Sequence, residues 1–189
     1  MTPLHRRLLD ILARQPLVDR LLDAAEAAAL PDHALGAGLL TQTTWNHLTG
    51  QPLDAHLKDV DLIYFDDTDL SEEAEAEGTR RVAAAAGPLP LPLDVTNQAR
   101  VHLWYPQAFG RESPPYTSTA QAIATWPTTA SSLGLTRRAG ALHVIAPFGL
   151  EDLFGLVVRP NRALVPQAVY EAKAARWKRC WPALTVVPW

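Results

Sequence analysis

Over the first thirty residues, apolar side chains return every three to four positions. Leu4, Leu8, Ile11 and Leu12 make one stripe, and Val18, Leu21, Leu22 and Ala25 make another. The spacing predicts two helices, residues 3–14 and 16–29. Pro16 divides them, because proline suits a helix start and not an interior, and Pro31 ends the second. Together they read as a helical arm, residues 1–30, laid over the rest of the chain. The pattern then shifts. Residues 33–36 predict a short strand, Gly36-Ala37-Gly38 a turn, and Leu39 to Leu48 a helix that stops near Gly50. The run from Leu57 to Phe65 is rich in β-prone residues and predicts a strand. Ser71-Glu72-Glu73 opens an acidic helix that runs to Ala86, capped by Ser71 or Asp69.

Gly87 to Pro92 is a stiff, extended connector, too short to divide domains. Leu93–Thr96 and Ala99–Trp104 predict two strands, or one bent strand. A loop over 110–115, a helix over 118–125, a strand over 141–145, a short helical stretch over 149–158 and a final helix over 166–178 complete the reading. This order predicts an α/β or α+β fold with a small mixed sheet. At 189 residues the chain is expected to form one domain, with 31–182 as its core.

Composition narrows the function. Apolar residues are 48% and charged residues 20%, ordinary values for a globular chain, and they exclude wholesale disorder. Net charge is −3 and no long basic run occurs, so a sequence-independent grip on duplex nucleic acid is not expected. The single cysteine, Cys180, excludes an intrachain disulfide framework and any multi-cysteine metal site. The N-terminus carries charges where a signal peptide would be apolar. No apolar run reaches the ~18 residues of a membrane span. A cytoplasmic, soluble protein without membrane partners is the expectation.

One arrangement carries chemistry. A glycine turn at Gly36-Ala37-Gly38 opens a helix, whose N-terminal N–H groups and partial positive charge suit a phosphate. Some twenty residues on, Asp59 and Asp61 stand two apart on a predicted strand, so they share a face. Paired carboxylates repel unless a cation neutralises them, and hard oxygen ligands suit Mg²⁺. A third carboxylate, Asp94, follows on the next strand. Together these parts describe two-metal, in-line transfer of a nucleotidyl group. Each part alone is unspecific: a turn glycine often holds nothing, and Asp-x-Asp at a strand edge is often only solvated. Their order is more specific than any one of them.

That order resembles the nucleotidyltransferase superfamily typified by DNA polymerase β. More closely, the chain resembles a bacterial family of nucleotidyltransferase proteins. The resembling stretches include Gly36–Gly38 through Trp45-Asn46-His47-Leu48, Asp59-Val60-Asp61-Leu62-Ile63-Tyr64-Phe65-Asp66, Asn97-Gln98-Ala99-Arg100-Val101-His102, Tyr116-Thr117-Ser118-Thr119 and Ala146–Phe154. The resemblance implies that Gly36, Ala37 and Gly38 form the phosphate turn and that Asp59, Asp61 and Asp94 are the metal and catalytic carboxylates. It also implies a nucleoside triphosphate donor, with the acceptor unnamed. Two departures stand out. Thr41-Gln42 replaces an expected Arg-Asn, removing a guanidinium that would neutralise phosphate, and Ala37 replaces a serine. Arg100 is then the first suspect for the missing charge. The alternative is a catalytically silent nucleotide-binding or protein-interaction module on the same fold.

Other residues weigh less. Arg100 and His102 face a phosphate and an acceptor, or else brace the sheet. Tyr116 stacks on a base, or else its loop only caps the next helix. Glu151-Asp152 reads as a charge pair at a helix start. The tryptophans at 177, 181 and 189 read as packing of the last helix onto the core, and the histidines show no metal-type spacing.

Overall fold

The computed structural model describes residues 2–189. Helix α1 (Pro3–Leu12) and helix α2 (Pro16–Ala27) form where the stripes predict them. Each starts on proline after a side-chain cap: Thr2 accepts from the His5 N–H, and Gln15 accepts from the Leu17 N–H. Apart from the half-buried Leu4 their stripes are buried, with Leu8, Leu21 and Leu22 each at 0% exposure in the principal core.

Next come β1 (Ala34–Gly36), α3 (Ala37–Leu48), β2 (Val60–Tyr64), α4 (Glu72–Ala86) and β3 (Leu93–Asn97). A 3₁₀ turn (Gln98–Arg100) leads into α5 (Val101–Phe109), followed by α6 (Thr119–Ile123), β4 (Gly134–Arg138) and β5 (Ala141–Ile145). The chain ends with α7 (Glu151–Phe154), β6 (Val157–Val158), α8 (Gln167–Cys180) and β7 (Thr185–Val186). The first five strands make one sheet in the order β3-β2-β1-β4-β5, and β6 pairs with β7. Only β2 and β3 run parallel in the larger sheet, so it is mixed, as expected. Among the described residues no helix is long and apolar enough to cross a membrane.

Alternation along the strands sorts the sheet into two faces. Leu35, Val60, Leu62, Tyr64, Val95 and Leu135 point into the core cluster with α1, α2 and α3. Fully burying an aliphatic of this kind is worth ~1.5–3 kcal/mol, so this face holds the fold together. Ala34 and Ile63 point the other way, against Ile123 of α6 and the Trp126 and Ile145 side chains.

The structure corrects the reading in four places. Residues 98–109 are helical, not a strand: the Asn97 side chain accepts from the Ala99 N–H and turns the chain at the end of β3. Strand β4 was not predicted at all, because Arg137 and Arg138 interrupt its apolar pattern. It reaches β5 through Ala139 and Gly140, both at positive φ (48° and 76°), the two-residue hairpin turn that matches strand twist. Of 149–158 only Glu151–Phe154 is helical, and Val157–Val158 is a strand. Asp59 lies just before β2 rather than within it.

Candidate active site

The parallel pairing of β2 with β3 sets Asp61 in register with Asp94. In-register neighbours of a sheet project to the same face, here the face away from the core. The Thr96 hydroxyl, two residues along the same face, donates to Asp94 Oδ1 at 3.1 Å. Burial pushes the Asp61 carboxyl above its ordinary range, and the like charges of Asp59 and Asp94 push it further. The Lys173 ammonium and a hydrogen bond from the Gly38 N–H oppose that shift. Asp59 and Asp94 themselves face solvent.

The glycine turn divides into two jobs. A Cβ on Gly38 would meet Asp61 Oδ2 and Gln42 Nε2 at 3.3 Å and Asp59 Oδ1 at 3.9 Å, so the first turn of α3 lies directly against the carboxylates. A Cβ on Gly36 would meet the Trp126 ring at 2.8 Å. Gly36 sits at φ −107°, open to any residue, so it is glycine for lack of space and not for torsion. Ala37 borders the adjoining cleft. Of the departing pair, Thr41 is wholly buried, and its hydroxyl donates to the Ala130 carbonyl. Gln42 remains at the site.

Arg100 is not brought to the cleft. It is 6% exposed and ion-paired to Glu75 of α4, with Glu72 at 3.7 Å, and its Nε donates to the Leu70 carbonyl at 2.9 Å. Its charge is fully used in bracing α4 against the end of β3. The cation at the carboxylates is Lys173 of α8, which sequence reasoning missed. Burial lowers its pKa, while Asp61 and Asp59 hold its charge. The signal was present in the spacing. Lys173 stands one turn before Trp177, and Tyr170, Ala174 and Trp177 are buried. A lysine on a buried helix face calls for a partner.

Tryptophans fix that helix in place. Trp45 of α3 meets Trp177 edge-on at 5.0 Å and Trp181 at 5.5 Å. Trp45 Nε1 donates to the Leu153 carbonyl at 3.1 Å, and Trp181 Nε1 donates to Asn46 Oδ1 at 2.8 Å. The last helix thus packs on the core through its tryptophans, as expected, and Lys173 Nζ rests 5.0 Å from the Trp177 ring. The other weighed residues resolve structurally. Asp152 is paired with Arg159 and accepts from Thr129, and Ser118 caps α6. His102 lies on α5, not on a strand.

Asp61, Asp94 and Lys173 line one end of a cleft of about 280 Å³ between the sheet, α5 and α8. Asp59 instead borders a small neighbouring niche with Lys58, Arg176 and Gln42. Among the described residues no three of His, Cys, Asp and Glu gather into a ready metal cage. Two carboxylates facing an open cleft suit a hard divalent ion that keeps waters and takes phosphate oxygens, and a cation there would oppose the burial and like charges that raise the Asp61 pKa.

A mixed sheet carrying carboxylates beside a helix N-terminus defines an architectural class with solved relatives. An NMR structure described as revealing a CCA-adding enzyme head domain superposes with a TM-score of 0.77 at 22% identity, covering 97% of this chain and 96% of that one. Residues 23–186 match the family described as nucleotidyltransferase, and the chain belongs to that family. No curated protein matches it. The protein is therefore a transferase by family, and the expected fold is the observed one.

Proposed function

We propose that this chain moves a nucleotidyl group from a nucleoside triphosphate to an acceptor, with Asp59, Asp61 and Asp94 as its working carboxylates and Mg²⁺ as cofactor. The observation that carries this is the register of Asp61 with Asp94, on the sheet face beside the N-terminus of α3 and Lys173. In this reading Asp59 and Asp61 hold the cation, and the Gly38 N–H orients Asp61. A bound Mg²⁺ would supply charge neutralisation to the phosphate oxygens. The acceptor's nucleophilic oxygen attacks the α-phosphorus and the bond to the bridging oxygen breaks. Pyrophosphate leaves, and Asp94 takes the acceptor's proton. Lys173 supplies the charge that Thr41-Gln42 does not, beside Ala37 and the partial charge of the helix end. Gly36 keeps Trp126 close against the turn. Residues 1–189 act as one cytoplasmic unit, with 1–30 bracing the 31–182 core.

A nonhydrolysable triphosphate with Mg²⁺ is expected to raise the melting temperature, because a ligand that binds only the folded state stabilises it by mass action. Asp61→Asn is expected to abolish that rise, and pyrophosphate is expected to appear when cell extract supplies the acceptor. A chain that binds none of the four triphosphates would make it a silent module on this fold.

A further inference from the structure

The far end of the cleft is unlike the end that holds the carboxylates. Because residues 101–109 are helical, α5 lends Trp104, Tyr105 and Phe109 to the cleft's lining, where Tyr116 completes an aromatic chamber that Trp126, packed against Gly36, joins to the carboxylate end. Among the described residues the cleft's charged lining is confined to Asp61, Asp94 and Lys173. Tyr105 is 6% exposed, and its ring lies 4.6 Å from that of Phe109 and 6.0 Å from that of Trp104. Its hydroxyl has no hydrogen-bond partner. The neighbouring phenol differs: Tyr116 Oη is bonded to Thr125 Oγ1 at 2.7 Å. A buried hydroxyl left unpaired is costly, and such a group is rare without a ligand or water to complete it.

From this we infer that the aromatic chamber receives the nucleobase of the donor triphosphate, and that the Tyr105 hydroxyl hydrogen-bonds the edge of that base and sets which nucleotide is used. The inference rests on the nucleotidyl-transfer reading. Its ligand chemistry follows from the walls. A flat, uncharged ring with an apolar face suits aromatic walls, whereas a phosphate would find no charged partner among them; the polar lining besides the tyrosines is the uncharged Thr96, Gln98 and Thr125. The polar edge of such a ring gives the phenol its missing partner. Ala37 and Lys173 border the same cleft, so a base in the chamber lies next to the place where its phosphates would be held. A site that hydrogen-bonds one base edge rejects an edge with the wrong donors and acceptors far more strongly than apolar contact can.

The test uses the full chain with Mg²⁺ and five probes: nonhydrolysable analogues of ATP, GTP, CTP and UTP, and inorganic tripolyphosphate, which has no base. Calorimetry is expected to show at least one nucleotide binding about tenfold or more tightly than tripolyphosphate, with the four bases clearly ranked. Tyr105→Phe is expected to shrink that ranking by about tenfold while leaving tripolyphosphate binding unchanged and the melting temperature of the free protein no lower, since the buried hydroxyl it removes has no partner in the fold. Trp104→Ala is expected to weaken all four nucleotides alike. If tripolyphosphate binds as well as every nucleotide, or Tyr105→Phe leaves the ranking intact, the chamber is not the base site and the inference falls alone. If no probe binds, the nucleotidyl-transfer reading falls with it.

Discussion

On one face of the five-stranded sheet, Leu35, Leu62, Val95 and Leu135 sink beneath the N-terminal helices. On the other face, Asp61, Asp94 and Thr96 of the same strands border a cleft. The two faces differ in what their side chains do to each other. Core-face neighbours attract by excluding water. Site-face carboxylates repel, and the Asp61 pKa is raised first by burial and then by those like charges. A single residue step along β2, from Asp61 to Leu62, crosses from one regime to the other. On the proposed reading, stability and chemistry separate at the level of adjacent residues.

The sharpest test of that separation compares those two residues. Asp61→Asn is expected to cut pyrophosphate release roughly a hundredfold or more, if several kcal/mol of transition-state stabilisation depend on it. The same change is expected to hold or raise the melting temperature of the ligand-free protein. Leu62→Ala is expected to cost ~2–5 kcal/mol in denaturant unfolding. Equal destabilisation by both changes would erase the distinction between the faces.

The two cations give the next contrast. Arg100→Met leaves Glu75 without its partner and is expected to cost about 3 kcal/mol in chemical denaturation. Lys173→Met removes a partly desolvated charge from an apolar helix face. It is expected to leave unfolding nearly unchanged and to weaken tripolyphosphate binding in calorimetry. Should Arg100→Met prove harmless to stability and damaging to ligand binding, the assignments would have to be exchanged.

The glycines separate by a smaller margin. Gly36→Ala forces the Trp126 ring aside and is expected to cost ~1–3 kcal/mol, seen as a lower melting temperature. Gly38→Ala finds only side-chain ends at 3.3 Å and sits in a helix, where alanine is favoured. Stability is expected to stay within ~1 kcal/mol of the parent while triphosphate affinity drops.

The finest test is pH. Folding raises the Asp61 pKa above its ordinary value of 3.8, so folding favours the protonated acid. Its relative stabilisation is present below that value and is lost as pH rises through the folded pKa. The melting-temperature gain of Asp61→Asn is therefore expected at neutral pH, shrinking as the pH falls through the carboxyl range. A gain that does not change with pH would mean that charge is not its source.

The core face was legible because alternation and helical stripes report burial directly. Asp59, Asp61 and Asp94 stood out as candidates, because carboxylates in or beside β-prone strands need a reason. Their placement needed more: only the parallel pairing of β2 with β3 puts Asp94 beside Asp61. Lys173 and the aromatic chamber were not legible. Lys173 arrives from the last helix, carried by contacts among Trp45, Trp177 and Trp181 that no local pattern encodes. The chamber depends on residues 98–109 being helical, yet Val101-His102-Leu103-Trp104-Tyr105 is equally apolar as strand or helix, and the deciding signal is one side-chain cap from Asn97. Arg100 misled because an arginine near a strand of candidate carboxylates reads as a ligand group until its glutamate partner on α4 is known. Strand β4 was hidden by Arg137, whose charge is absorbed by Asp19, Asp23 and Glu26 of α2.

The cation seated over Trp177 has an optical consequence. An indole's emission shifts with the electric field across its ring, and here the Lys173 ammonium lies 5.0 Å from the ring centroid. Two more of the chain's six tryptophans, Trp104 and Trp126, border the cleft itself. Half of the tryptophans therefore sit in the wall of the cleft or, like Trp177, against the cation that borders it. The unlabelled protein carries its own titration signal, and Lys173→Met would silence the Trp177 share of it while leaving the other two to report.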